Sequence, residues 1–331
     1  MQDARTEQDL LIETFDGRAR RRDNRRAFFT AALGAAAVGS AFAYADPALA
    51  QTSVTDSDVL NFALNLEYLE AQFYLYAVNG SGLSSDLTAS GSGTAGGTVI
   101  GGAPVTFTDD PLVGAYAREI AADELAHVKF LRTALGTAAV AMPNINISGD
   151  ANGPFTAAAR AAGVVDKTTG IFNPYASPTD FLLGAFIFED VGVTAYKGAA
   201  PLLSNKTFLE AAAGILAVEA YHAAIVRTTL YSKGVQGLID ATELIAAARD
   251  SLDGAPAEDK VRGIGPVDDQ GIKPSGSDDT LTANLSPLNS NGLAFSRTPG
   301  QVLNIVYLNA GTATMGGFFP NGVNGNIKST T

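Results

Sequence analysis

The chain has no cysteine in 331 residues. That absence removes disulfides, thiolate metal sites, iron–sulfur clusters and thiol nucleophiles together. Histidine is nearly as scarce, with two. Carboxylate and imidazole are therefore the strong metal ligands left. Beyond residue 50, clusters of positive charge are lacking too. Residues 1–50 hold 7 of the 22 basic and 7 of the 34 acidic residues, so the remainder, with 15 against 27, keeps the whole net charge of −12. Without a Lys/Arg cluster there is nothing to displace counterions or pair phosphates, which sets aside nucleic acid and anionic lipid as partners. Beyond residue 50 no stretch is expected to be long and apolar enough to cross a membrane, so the mature chain is read as having no membrane span.

Residues 1–50 read as a twin-arginine signal peptide. Arg25-Arg26-Ala-Phe-Phe-Thr matches the twin-arginine pattern, Ala31 to Ala45 is a small-residue apolar run, and Ala48-Leu49-Ala50 is an A-x-A cleavage site. The expectation is a mature chain starting at Gln51, periplasmic or otherwise exported by that route. The route carries folded proteins, so a cofactor can be inserted before export.

Both histidines sit in the same local pattern, Glu124-Leu-Ala-His127 and Glu219-Ala-Tyr-His222. A Glu and a His three residues apart on a helix project from one face about a turn apart, so both reach a single cation. With 11 Glu in the chain, the chance of Glu three places before both histidines is on the order of one in a thousand for independent positions.

The remaining chain reads as helices joined by irregular segments. A helix over residues 55–78 opens on a capping box, Thr55 with Asp58, and closes at Asn79-Gly80. Asn61, Asn65 and Gln72 form a polar edge on its wheel. The opposite side carries Glu67, Glu70 and Tyr74 among apolar residues. Residues 79–108 are a Gly/Ser-rich insertion in which residues 98–107 alternate as a small hairpin does. Asp110-Pro111 starts a second helix running to about residue 135, with Glu124 and His127 on its inner face. Residues 137–176 suit a crossover along a bundle, with a short helical patch at 155–162. Ser177-Pro178 caps a third helix, in which Glu189 and Tyr196 share the apolar side. Ser204 opens a fourth, ending near Gly234, with Glu219 and His222 inward and Lys206, Glu210 and Arg227 on the outer part. Residues 238–252 form a fifth, more polar helix. From Gly254 the chain is loop-rich, with a short helix from Thr298-Pro299 to Tyr307. The layout is thus a signal at 1–50, a bundle at 51–234 and a C-terminal extension at 235–331.

Four helices each offer an inward acid, and two add a histidine, which is the ligand set of dimetal carboxylate bundles. The segments Asn65-Leu-Glu-Tyr-Leu-Glu-Ala-Gln-Phe-Tyr74, Glu124 to His127, Phe188-Glu189-Asp190 and Glu219 to His222 resemble the ferritin-like superfamily. The narrower likeness is to its bacterial members related to plant desiccation-related proteins, and Gly292 to Tyr307 resembles that family's tail. The fold implied is all-α: a ferritin-like four-helix bundle with a long crossover, the insertion after helix one and the C-terminal extension. The resemblance implies Glu124 with His127 on one metal, Glu219 with His222 on the other, and Glu67 and Glu189 as the acids of helices one and three. The wheel does not separate Glu67 from Glu70; Glu67 is preferred because its spacing to Tyr74 matches that of Glu189 to Tyr196. Tyr74 and Tyr196 either bond ligands across the bundle or pack.

Two divalent transition metals, iron or manganese, fit this oxygen and nitrogen set. They suit small oxygen species such as O₂ or peroxide, an oxidase, peroxidase or catalase-like activity, or iron handling. The extra segments make a closed storage cage doubtful, although a homo-oligomer is compatible with them. The competing reading is a structural or desiccation-stress protein that uses the bundle as a scaffold.

Overall fold

A computed structural model describes residues 54–93, 96–254 and 268–330; the expected signal at 1–50 lies outside them. In chain order the elements are α1 (Asp56–Asn79), α2 (Ser85–Thr88), β1 (Val99–Gly101), α3 (Pro111–Leu135), β2 (Ile145–Ile147), α4 (Pro154–Ala162), α5 (Pro178–Ala199), α6 (Lys206–Ser232), α7 (Gln236–Asp253) and α8 (Pro299–Val306). The fold is an all-α helical bundle built from α1, α3, α5 and α6.

Local chemistry sets the helix ends. Thr55 and Asp58 form a reciprocal capping box, and Gly80 closes α1 in the left-handed region. Asp110 and Ser177 each accept a backbone N–H ahead of a proline in the first turn. Asn205, rather than Ser204, caps α6. Direction follows from two contacts. Asp56 at the start of α1 accepts the N–H groups of Ser204 and Asn205, both at 2.8 Å. Lys233, just past α6, pairs with Asp110 at the start of α3 at 2.7 Å. Hence α6 runs parallel to α1 and antiparallel to α3, and the chain between α3 and α5 must travel the length of the bundle.

α1 and α5 are the inner helices, with 18 of 24 and 17 of 22 residues buried, against 10 of 25 on α3 and 8 of 27 on α6. The polar edge of α1 is buried as well. Asn61 bonds Ala138 O and Val140 N of the crossover, and Asn65 exchanges bonds with Asn324 of the tail. Those amides satisfy backbone groups that irregular chain leaves open, which allows it to cover a helix. The expected hairpin at 98–107 does not form. β1 instead pairs in parallel with β2 of the crossover, Val99 with Ile145, because alternation marks a strand without naming its partner. α6 also corrects an expectation: by length and composition alone it could cross a membrane. Its buried side carries Glu219, His222 and Arg227, the inward face of a bundle helix.

Arg227 was expected on the outer part of its helix, yet it is 0% exposed. It pairs with Asp190 of α5 at 2.8 Å and donates to the carbonyls of Gln270, Gly271, Asn284 and Leu285. Chain that arrives after α7 covers it, so a wheel drawn for a four-helix bundle misplaces it. Arg249 of α7 pairs with Asp190 and Asp269, and Arg297 with Asp253, Asp268 and Asp269. Gly198 lets the backbone at Arg297 cross α5, because a Cβ there would lie 1.8 Å from the Arg297 carbonyl oxygen. The extension is therefore fixed to the bundle by three buried guanidiniums.

Candidate metal centre

α1 brings Glu67 and Glu70 to the bundle axis, α5 brings Glu189, and α3 and α6 each bring a Glu and a His from the i, i+3 pattern. Glu67, Glu124, Glu189 and Glu219 are at most 1% exposed, and His222 is 2%. The two imidazole rings lie 6.3 Å apart between centroids, so the six side chains converge. His127 Nδ1 lies 3.1 Å from Glu67 Oε2, 3.6 Å from Glu124 Oε2 and 3.7 Å from Glu219 Oε1. His222 Nδ1 lies 3.1 Å from Glu124 Oε1 and 3.7 Å from Glu189 Oε2. Ligating atoms of Glu67, Glu124, His127 and Glu219 fall within 4.8 Å of one another, as do those of Glu189, Glu219 and His222.

The partition differs from one motif per metal. Glu124 turns one oxygen toward each imidazole, and Glu219 belongs to both groups. Both stand between the histidines, because the helices that carry them face each other across the axis. Glu67 and Glu189 are the acids belonging to one side each.

The tyrosines complete a crossed arrangement. Tyr74 of α1 donates to Glu189 Oε1 of α5, and Tyr196 of α5 donates to Glu67 Oε1 of α1. Each bond occupies one oxygen and leaves Oε2 turned toward a histidine. Glu70 belongs to neither ligand group. It stands beside Glu219 across Gly192, where a Cβ would meet Glu219 Oε2 at 2.3 Å and Glu70 Oε1 at 3.5 Å. Glycine is thus required at 192 for Glu219 to occupy its place.

Two participants escaped the sequence reading. Asp123, with its side chain 43% exposed, lies 3.1 Å from His222 Nε2 and so fixes the ring with Nδ1 inward. Its position beside Glu124 was the only signal, and its partner is on another helix. Gly192 gave no signal at all.

The electrostatics expose a deficit. Burial, reinforced by the charge of Glu124, pushes Glu67 up to about 7, and burial pushes Glu189 up to about 8. Burial holds Glu70 and Glu219 well above the carboxylate range. Burial would raise Glu124, but the imidazoles of His127 and His222 beside it outweigh burial and take it down to about 2. Those same carboxylates overcome burial to lift His127 to about 10 and His222 to about 9. Both oxygens of Glu124, both of Glu219, Glu189 Oε2 and His222 Nδ1 are buried without a hydrogen-bond partner. Unpaired buried acceptors of this kind cost about 1–3 kcal/mol each, more when charged. Deprotonated, all six atoms are lone-pair donors directed at common points, so the residues fit two cations.

Comparison with known proteins identifies the family of the bundle. Residues 55–232 match the family model described as Ferritin-like domain. Over 279 residues the chain is 28% identical to the ferritin-like catalase Nec2 of Nesocodon mauritianus, covering 82% of this chain and 84% of that protein. Over 262 residues it is 28% identical to the desiccation-related protein PCC13-62 of Craterostigma plantagineum, covering 75% and 76%. No solved structure matches.

Proposed function

The chain belongs to the ferritin-like domain family, and from that premise we propose that it is an exported dimetal-carboxylate protein acting on peroxide or oxygen under stress. The observation that carries the reading is the set of six buried, unpartnered donor atoms on three helices, gathered with Glu67 of the fourth. Glu67 with His127 would hold one ion and Glu189 with His222 the other, with Glu124 and Glu219 shared. Bound iron or manganese would supply one-electron redox chemistry toward a small oxygen species.

The protein's own contribution is placement. Tyr74 and Tyr196 each hold a carboxylate by one oxygen, and Asp123 holds His222. Burial raises Glu70 well above the ordinary carboxylate range. Standing beside Glu219, it is the acid positioned to give or take a proton. It also lines a cavity of about 20 Å³ among apolar residues of α1, α5 and α8, a volume for water-sized molecules. The relative named a catalase supports peroxide as substrate.

The test is elemental analysis of protein purified from its host, with a peroxide-consumption assay. The expected result is about two transition metals per chain, with Glu124→Ala/Glu219→Ala reducing metal and turnover to background while the helical circular dichroism persists. Less than one metal per chain would sink the reading. The relative named for desiccation favours a second reading, the bundle as scaffold. That reading gains if the double variant loses metal and turnover yet still protects its host. Export rests on Arg25-Arg26 and Ala48-Leu49-Ala50. Arg25→Lys/Arg26→Lys should retain the protein in the cytoplasm, and unchanged fractionation would refute the twin-arginine route.

A further inference from the structure

The buried network under the extension is short of positive charge at one corner. Its acids are Asp190, Asp253, Asp268 and Asp269, with Asp250 at the rim, and its cations are Arg227, Arg249 and Arg297. Among the described residues five carboxylates face three guanidiniums, which leaves two negative charges unmatched, and the unmatched oxygens can be located. Arg297 Nε takes Asp253 Oδ2 at 2.5 Å and Arg297 Nη2 takes Asp268 Oδ1 at 3.3 Å. Both side chains are fully buried, and the second oxygen of each, Asp253 Oδ1 and Asp268 Oδ2, has no hydrogen-bond partner. Asp250 joins them from the half-buried side, and each of the three offers an oxygen within 4.8 Å of the others.

We propose that Asp250, Asp253 and Asp268 form a second metal site that takes one hard divalent cation, calcium or magnesium in class. The donor set contains oxygen alone, without the imidazoles of the bundle centre, which favours hard cations over transition metals. One such ion supplies the two missing charges and meets both orphaned oxygens. Asp250, partly open to solvent, gives it a way in. Asp250 and Asp253 lie in the last turn of α7, which has no basic residue, so negative charge gathers there with the helix dipole. An ion at this corner ties that helix end to the chain entering at Asp268, and so secures the extension through Arg297. Without an ion, burial pushes Asp253 up to about 7 and Asp268 up to about 6; the competing occupant is a proton held between them.

The site shares no residue with the bundle centre and does not depend on what that centre does. The test is titration calorimetry with calcium chloride, and separately magnesium chloride, on chelator-treated wild type, Glu124→Ala/Glu219→Ala, Asp250→Asn and Asp268→Asn, with thermal melting in parallel. The expected result is one calcium or magnesium ion per chain in wild type and in the bundle variant, with a raised melting temperature. Asp250→Asn should weaken binding at least about tenfold and abolish the thermal shift, while leaving transition-metal content unchanged. Among the described residues Asp250 accepts one backbone N–H, that of Asp268 at 3.3 Å, so this variant folds even if Asp268→Asn does not. The proposal is overturned if neither cation binds wild type, if Asp250→Asn binds as well, or if binding vanishes in the bundle variant.

Discussion

Glu189 and Asp190 are consecutive residues of α5 and both are buried, yet the protein treats them oppositely. Asp190 Oδ2 receives Arg227 at 2.8 Å and Arg249 at 3.0 Å. Glu189 faces the bundle axis, where it meets a tyrosine, a histidine and other acids, and its Oε2 has no partner. The interior can therefore supply guanidiniums to buried carboxylates, and on the extension side it does so with three arginines. At the axis, among the described residues, it supplies none. The difference teaches that the unbalanced acids are not an oversight of packing: the charge they lack is of a kind that the side chains do not provide. A buried acid paired by arginine fixes one part of the molecule to another, whereas a buried acid without one is available to an ion.

The sharpest way to break the contrast is to remove a guanidinium. Arg227→Ala leaves Asp190 short of one partner and strips four carbonyls of their donor. Breaking a buried pair in this way costs about 3–5 kcal/mol, which urea denaturation would register as an earlier midpoint. Transition-metal content should hold in the folded fraction, because Arg227 is not part of the axial cluster. A variant of near wild-type stability would show that the network does not hold the extension, and the comparison would lose one side.

The two sides were not equally legible in the sequence. The axial residues follow a periodic rule: Glu and His three apart, and an acid on an apolar face, are visible in a helix before any contact is known. That is why Glu67, Glu124, His127, Glu189, Glu219 and His222 were named together. The pairing of Tyr74 with Glu189, and of Tyr196 with Glu67, also left a trace as equal spacing. Arg227 left the wrong trace. On a wheel it lies away from Glu219, and only the irregular chain at 270–285 turns that face into interior. Its partners are 37 to 58 residues away in sequence, and no local pattern encodes such a contact. The parallel pairing of β1 with β2 was hidden for the same reason.

A second separation of the two regions comes from pH. In chelated protein Glu67 and Glu189 hold protons up to about 7 and 8, whereas ordinary glutamates release theirs near 4.5. His127 and His222 hold theirs to about 10 and 9 against 6.5. All four bind more protons folded than unfolded. The stability they give is complete below the unfolded values and is lost as pH climbs through the folded ones. Glu124, lowered to about 2, works the other way, but only below about 4.5. Metal replaces these protons, so the loaded protein should lose less stability between pH 5 and 9. Asp253 and Asp268 decline with rising pH in both forms unless their own site is filled, which calls for calcium-free buffer throughout. Melting temperatures of loaded and chelated protein should diverge as pH rises. Parallel curves would mean that ions do not replace the axial protons.

The finest probe is Asp123, which lies between the two regimes: it is a carboxylate bound to a buried base, but it stands in solvent. Its bond to His222 Nε2 selects the tautomer that leaves Nδ1 free to face Glu124 and Glu189. An amide can turn its NH₂ toward that nitrogen and favour the wrong tautomer. Asp123→Asn should therefore weaken metal binding about 10- to 100-fold, measured by competition with a chelator of known affinity. Its effect on chelated stability should stay within about 1 kcal/mol, as for other half-exposed pairs. Glu119→Gln, an exposed acid one turn earlier on α3, should change neither quantity. If both variants bind metal alike, His222 is oriented by packing alone. The axial cluster would then be held in place from inside the bundle, with no contribution from its surface.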